Sequence, residues 1–373
     1  MKAGYQQLGR YIRSVDKRNR DMAVTKLLGV SITKQFIPSI ANIVGTDLSN
    51  YKVVRKGQFA YGPVTSRNGE KISVALLEED DCIISGSYSV FEVIDTNKLN
   101  PEYLMLWFNR PEFDRYARYH SHGSVREIFD WDEMCQVELP VPSIEEQEKI
   151  VKAYRVITDR IALKQRINDN LEAVAQAYFD SLFFPAAEPD CTLADIAEVN
   201  PIRQLKKGEK ARCFDMSTLP TNGCIPTGDE IKPYNGGVRF TNGDTLIARI
   251  TPCLENGKAA YINLLGDGEV AFGSTEYIVF AAKDIMPSSF YYFLIRNYQF
   301  VTFALQFMNG SSGRQRVSGE ELASFPLVKP SAESLKEFDK VGSMVLSQMK
   351  ENTDEIIKLK SLQDTISATL SNR

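Results

Sequence analysis

The chain has 373 residues, 43% hydrophobic and 25% charged, with a net charge of −4. At about 150 residues per domain that length exceeds one ordinary core, and the balance is that of a globular chain, which excludes wholesale disorder and fibrous repeats. No run of 18 apolar residues is present and the opening Met-Lys-Ala-Gly-Tyr-Gln-Gln has no apolar signal region, so no transmembrane helix and a cytoplasmic location are expected.

In chain order, residues 1–142 read as a first globular segment of mixed α and β character, rich in short strands and glycine turns. Leu8 stands before Tyr11-Ile12, and Gly57 precedes an aromatic strand run. Asn68-Gly69 is a hairpin signal, because that dipeptide tolerates the positive φ such turns require. Gly86-Ser87 follows, then a short helix after Asn100-Pro101 whose aromatic run reads as core. The loop Ser121-His122-Gly123-Ser124-Val125-Arg126 precedes a short apolar strand, Leu139-Pro140-Val141-Pro142. A long helix is predicted over 143–185. A capping box, Ser143-x-x-Glu146, opens it, no proline or glycine interrupts it up to Phe184, and Pro185 stops it.

Residues 186–330 repeat this order with Leu193, Gly243, Asn256-Gly257, Gly273-Ser274, a short helix after Met286-Pro287, the loop Ser311-Ser312-Gly313-Arg314-Gln315-Arg316 and the junction Pro330-Ser331. Six landmarks recur in order at offsets of 185 to 190, so the chain is read as an internal duplication. A second long helix is predicted over 331–373. Alternating three and four spacings pick out Tyr154, Ile157, Ile161, Lys164, Asn168, Leu171, Ala175, Tyr178 and Leu182 in the first helix. In the second they pick out Gly342, Val345, Met349, Asn352, Ile356, Leu359, Gln363, Ile366 and Leu370, each 188 residues later. Such a seam argues for a coiled coil with Ile157, Ile161, Leu171, Tyr178, Val345, Met349, Ile356 and Leu359 at the helix interface. Lys164, Asn168 and Asn352 interrupt it, either to set register or as a hydrated stretch. The fold class is α+β: two similar mixed units alternating with two long helices.

The motifs of catalysis are missing. No Gly-Lys-Ser/Thr phosphate loop, no GxGxxG and no Asp/Asn-Pro-Pro-aromatic methyltransferase motif occurs. His120-Ser121-His122 is the sole histidine pair, with no cluster beside it in sequence to complete a metal site. The six cysteines, Cys82, Cys135, Cys191, Cys213, Cys224 and Cys253, form no CxxC and read as reduced structural thiols. Basic residues gather locally: eight in the first 35 residues, Arg110, Arg115, Arg118 and Arg126 in the first unit, and Arg203, Lys206, Lys207, Lys210 and Arg212 in the second. Arg, Gln, Asn and Ser in glycine loops are side chains that reach phosphates and base edges. The loops holding Ser121, His122, Ser124 and Arg126, and Ser311, Ser312, Arg314, Gln315 and Arg316, are therefore the expected DNA contacts. The tips Arg67-Asn68 and Arg249 to Asn256 are secondary candidates.

Two phrases make the chain resemble the specificity subunit of type I restriction-modification systems along its whole length. Leu193-Ala194-Asp195-Ile196-Ala197-Glu198-Val199-Asn200-Pro201 opens the second unit. Leu139-Pro140-Val141-Pro142-Ser143-Ile144-Glu145-Glu146-Gln147-Glu148-Lys149-Ile150-Val151 looks like the family's junction of recognition domain and spacer helix. The second junction, Pro330-Ser331-Ala332-Glu333-Ser334-Leu335, lacks the Glu-Gln pair, and Leu8-Gly9-Arg10-Tyr11-Ile12 matches the domain opening only in part.

The resemblance implies a non-catalytic scaffold with two target-recognition domains, each binding one half of a bipartite, asymmetric DNA sequence. It further implies two antiparallel spacer helices relating the domains by a pseudo-two-fold axis. It implies two modification subunits using S-adenosylmethionine and, where present, two restriction subunits using ATP and Mg²⁺, with no cofactor or metal on this chain. Two other readings stay open: the specificity subunit of a two-subunit type II system, and a coiled-coil adaptor that does not read DNA.

Overall fold

A computed structural model describes residues 4–39, 45–66, 68–123, 126–311 and 313–370. The chain splits into two compact units, Met1–Asp159 with Leu359–Arg373, and Arg160–Lys358. Each unit holds a globular part and a segment of each of two long helices, Ile144–Phe183 and Ala332–Thr369. The fold is α+β, as the sequence predicts. Among the described residues no helix is long and apolar enough to cross a membrane.

The first unit is built on an antiparallel sheet of strands in the order Ile12–Val15, Ser89–Val93, Phe59–Tyr61, Val74–Leu76. Phe59 and Phe91 are register partners whose rings stack with centroids 4.9 Å apart, and Phe108 meets both edge-on. Phe108 ends the short helix Pro101–Phe108. That helix starts where Asn100 Oδ1 accepts the Glu102 amide at 2.8 Å and proline supplies a helical φ without needing its missing N–H. The junction phrase has a physical role. Gln147 is fully buried, accepts the Asn100 amide at 2.8 Å and donates to the carbonyls of Lys98 and Pro142 at 2.9 Å, tying the long helix to the globular part. Leu335, 188 residues later, packs instead into the apolar core of the second unit.

The second unit repeats the sheet as Ala197–Val199, Tyr277–Ala282, Thr245–Ala248, Ala259–Tyr261, again antiparallel throughout. The predicted Asn-Gly hairpins join the last two paired strands of each sheet: Gly69 (φ 62°) and Gly257 (φ 71°) both occupy the left-handed region that favours glycine. The units diverge outside this sheet. The second adds a four-stranded sheet, Glu230–Pro233, Lys210–Phe214, Ala271–Gly273, Val238–Phe240, with one parallel pairing. The first has two separate ladders there, Leu28–Val30 with Phe36–Pro38 and Lys52–Val54 with Cys82–Ile84. The aromatic runs are core: Tyr103, Trp107 and Phe108 in one unit, and every residue from Phe290 to Leu294 in the other, are buried. All six cysteines are free thiols, and burial pushes the Cys82 thiol up to about 12.

The two long helices pair antiparallel within each unit, since partner numbers fall as helix numbers rise. In the second unit Arg160 meets Glu355, Lys164 Nζ donates to Asn352 at 2.9 Å, and the Tyr178 hydroxyl donates to Glu337 at 2.5 Å. In the first, Gln363 donates to Thr158 at 2.7 Å. All eighteen seam positions are buried or half-buried, including Ile157, Ile161, Leu171, Tyr178, Val345, Met349, Ile356 and Leu359.

The polar interruptions form one connected network rather than a hydrated gap. Asn352 Nδ2 donates to Asn168 Oδ1 at 2.7 Å, Lys164 reaches both Asn352 and Glu355, and Asn168 and Asn352 are 8% and 2% exposed. Asn352→Ala is expected to lower stability by about 1–3 kcal/mol, because Asn168 loses a buried partner. Replacing both asparagines by leucine should recover that loss while relaxing register. Thermal melts of the single and double variants check this; a double variant no more stable than the single would refute a pairwise origin.

Candidate nucleic-acid interface

In each unit the tip of the hairpin and the loop before the last strand meet in the same backbone frame. In the first unit, Val64 and His122 both bridge to Ile128. Thr65 N donates to Glu127 O at 3.0 Å and Phe129 N to Pro63 O at 2.8 Å, while His122 and Ile128 exchange amide bonds of 3.0 and 2.9 Å. In the second unit, Ile250 and Asn309 both bridge to Arg316. Thr251 N donates to Gln315 O and Val317 N to Arg249 O, both at 3.0 Å, while Asn309 and Arg316 exchange bonds of 2.9 and 2.8 Å. Two stretches singled out separately in the sequence thus form one site, twice.

This frame also corrects the loop register. Matching Ser121–Arg126 to Ser311–Arg316 by sequence pairs Arg126 with Arg316. The bridges instead make Ile128 the counterpart of Arg316 and His122 that of Asn309, at offsets of 188 and 187 that agree with the helices.

The candidate residues have distinct settings. Asn68 is half-buried and its side chain donates to Val64 O at 3.3 Å; Asn256 is exposed at its tip. Ser121 Oγ donates to Ala117 O at 2.6 Å and accepts from Thr65 Oγ1 at 2.9 Å, closing the preceding helix. Arg126, Ser311 and Arg314 are exposed. Gln315 is half-buried, its amide donating to Thr251 Oγ1 at 3.1 Å. Arg67, Ser124 and Ser312 lie outside the described residues. His120 and His122 both face Glu133, at 3.0 and 3.6 Å, so one carboxylate distant by eleven residues or more does stand beside the histidine pair.

Arg316 and Arg249 share a carboxylate that sequence reading did not mark. Arg316 Nε lies 2.9 Å from both oxygens of Glu276 and its Nη2 donates to Oε1 at 2.7 Å. Arg249 Nε stands 3.5 Å from Oε2. The Arg316 hydrogen bonds hold the Glu276 carboxyl below the usual carboxylate range, and Glu276 in turn raises Arg316. Glu276 immediately precedes Tyr277–Ala282 and reaches the arginines only because that strand pairs with Thr245–Ala248. No spacing along the chain announces this.

Basic residues that cluster in sequence do not all form a basic surface. Arg110 is 4% exposed, stacked 4.1 Å above the Trp107 ring and paired with Glu112. Arg118 pairs with Glu127, Arg203 with the buried Asp244 at 2.7 Å, and Arg212 with Asp229 at 2.8 Å. Folding neutralises these arginines, because charges next to a core are paired or hydrogen-bonded. Lys206, Lys207 and Lys210 remain exposed.

Residues 29–173 match the protein family described as the type I restriction modification DNA specificity domain. The HindI specificity subunit of Haemophilus influenzae is 28% identical over 146 residues, 39% of this chain and 31% of that protein. The EcoAI specificity subunit of Escherichia coli is 33% identical over 132 residues, 34% of this chain and 22% of that protein. The chain thus spans a third or less of the length of these curated relatives. Among solved structures, the S subunit of a type I restriction-modification system from M. genitalium superposes with a TM-score of 0.61. That match covers 98% of this chain and 95% of that one at 13% identity, which shows a shared fold. The chain is therefore similar in sequence to type I restriction-modification specificity subunits, shares the fold of one along nearly its whole length, and matches the DNA specificity domain family over residues 29–173.

Proposed function

We propose that this chain is the DNA-specificity subunit of a type I restriction-modification complex, that each unit reads one half of a bipartite asymmetric target, and that the chain itself is non-catalytic. The observation that carries this reading is the duplicated loop frame, identical in its backbone bridges and different in its side chains. A repeated scaffold bearing unlike loops suits two unlike half-sites, since base contacts specify while the frame positions. Ser121, His122, Ser124, Arg126, Arg67 and Asn68 serve one half-site, and Arg249, Asn256, Ser311, Ser312, Arg314, Gln315 and Arg316 the other.

Methylation and cleavage then belong to partners in the cytoplasm. Two modification subunits use S-adenosylmethionine to methylate adenine, and two restriction subunits, where present, use ATP and Mg²⁺. Paired docking is supported by exposed apolar side chains that recur at the repeat offset of 188: Val156 (60% exposed) with Met344 (63%), and Val174 (70%) with Leu362 (52%). Exposed apolar groups on otherwise polar helices mark interaction sites when they recur in a pattern. Methylome sequencing of cells carrying the system should show methyladenine in a split, asymmetric motif with a fixed gap. Persistence of that motif after deletion of this chain would end the proposal.

A further inference from the structure

Resting on the DNA-reading role above, we propose that Arg249, Glu276 and Arg316 form the base-reading element of the second unit. Glu276 acts as a positioning residue that aims Arg316 at the major-groove edge of a G·C pair. A guanidinium has five N–H donors in a rigid plane. Glu276 engages the Nε and one Nη2 donor of Arg316, and Arg314 O accepts one from Nη1 at 3.2 Å. One donor on Nη1 and one on Nη2 remain, the pair that fits two acceptors side by side, as guanine presents in O6 and N7. Arg316 is 38% exposed at a loop whose backbone is pinned by Asn309 and Thr251, so the fork is both accessible and pre-aimed.

A lone carboxylate at such a place would repel phosphates. Arg249 answers this: with its guanidinium 3.5 Å from the same carboxylate, the three groups sum to one positive charge. Among the described residues Arg249 Nε has no hydrogen-bond acceptor, and its contribution to the element is the charge that balances Glu276.

The first unit lacks the device. Its strand register and loop frame place Pro63 and Ser87 where the second unit has Arg249 and Glu276, and its bridge places Ile128 where Arg316 stands. Neither proline nor serine can form the ion pair, and the Ser87 hydroxyl lies 3.1 Å from that of Ser85. Any reading in the first half-site therefore uses other chemistry, and the two half-sites differ in kind at this position.

The test uses the chain assembled with its modification subunits, on duplexes in which each base pair of the methylated motif is exchanged in turn. Arg316→Lys keeps the charge and removes the fork. It should abolish discrimination at one G·C pair, in one half-site only, by roughly 10- to 100-fold. Glu276→Gln should lose discrimination at that same pair while binding of unrelated duplex stays level or rises, because a negative charge has gone. A merely structural role would instead weaken both half-sites together and lower the melting temperature of both variants. Full discrimination retained in Arg316→Lys, or loss spread over both half-sites, overturns the proposal. A wild-type complex with no sequence preference at all overturns the DNA-reading role itself, which is a different failure.

Discussion

Phe179→Ala is expected to destabilise the second unit by about 3–5 kcal/mol, the cost of emptying a site that cannot collapse. Phe179 is fully buried on the first long helix. Its ring lies 4.9 Å from Phe183, 5.0 Å from Phe290, 5.1 Å from Phe338 and 6.1 Å from Phe293. These partners come from the same helix, the short helix Ser289–Arg296 and the second long helix, so one ring joins three elements. Aromatic pairs add about 0.5–1.5 kcal/mol each beyond the area they bury, and no smaller residue restores several tilted contacts at once. Urea unfolding should show a lower midpoint at an unchanged slope. A loss below about 1 kcal/mol would mean the cluster repacks freely, against the picture of a rigid aromatic hub.

Arg296→Ala is expected to cost about 3 kcal/mol and to weaken discrimination at the half-site read by the second unit. Its guanidinium, 15% exposed, donates to Gly257 O at 2.6 Å, Gly223 O at 2.9 Å and Thr221 O at 3.3 Å. It also pairs with Glu172 at 3.5 Å, which accepts from the Tyr292 hydroxyl. Truncation leaves three carbonyls and one largely buried carboxylate without their cation, the case in which breaking a buried pair costs more than the pair contributes. Gly257 follows Asn256 in the hairpin tip, so the same change loosens the loop that frames Arg316. Melting temperature and half-site binding should fall together; a variant that melts lower but discriminates normally would separate the core from the reading loop.

The parts of this fold legible in the sequence are those with a local period. The 188-residue offset of the helix seam, the absence of helix breakers, the Asn-Gly turns and the aromatic runs all survive as structure, because i, i+3 and i, i+4 neighbours face one side of a helix whatever surrounds them. The candidate site was legible only as loops. Aligning Ser121–Arg126 with Ser311–Arg316 by residue type placed Arg126 opposite Arg316, whereas strand bridging assigns Ile128; loop alignment has no period to correct a two-residue slip. Similarly, the proximity of Arg110, Arg115 and Arg118 in the chain resembled a basic patch, yet Arg110 is buried and stacked on Trp107.

By itself, then, the sequence determined that this protein is a duplication with two long helices, two hairpin-bearing units and no recognisable catalytic motif. Composition and short-range spacing depend only on neighbours along the chain. Tertiary structure alone decided which charges stay available and which are neutralised. Glu276 lies 40 residues from Arg316, and Asn352 lies 184 from Asn168. It also explains Gly342 in mid-helix, where a Cβ would stand 2.7 Å from the Phe338 ring and 3.3 Å from Ser289 Cβ. Those pairings exist only after strands and helices have packed, because side chains distant in sequence are brought within a few ångströms by burial of the apolar faces beneath them.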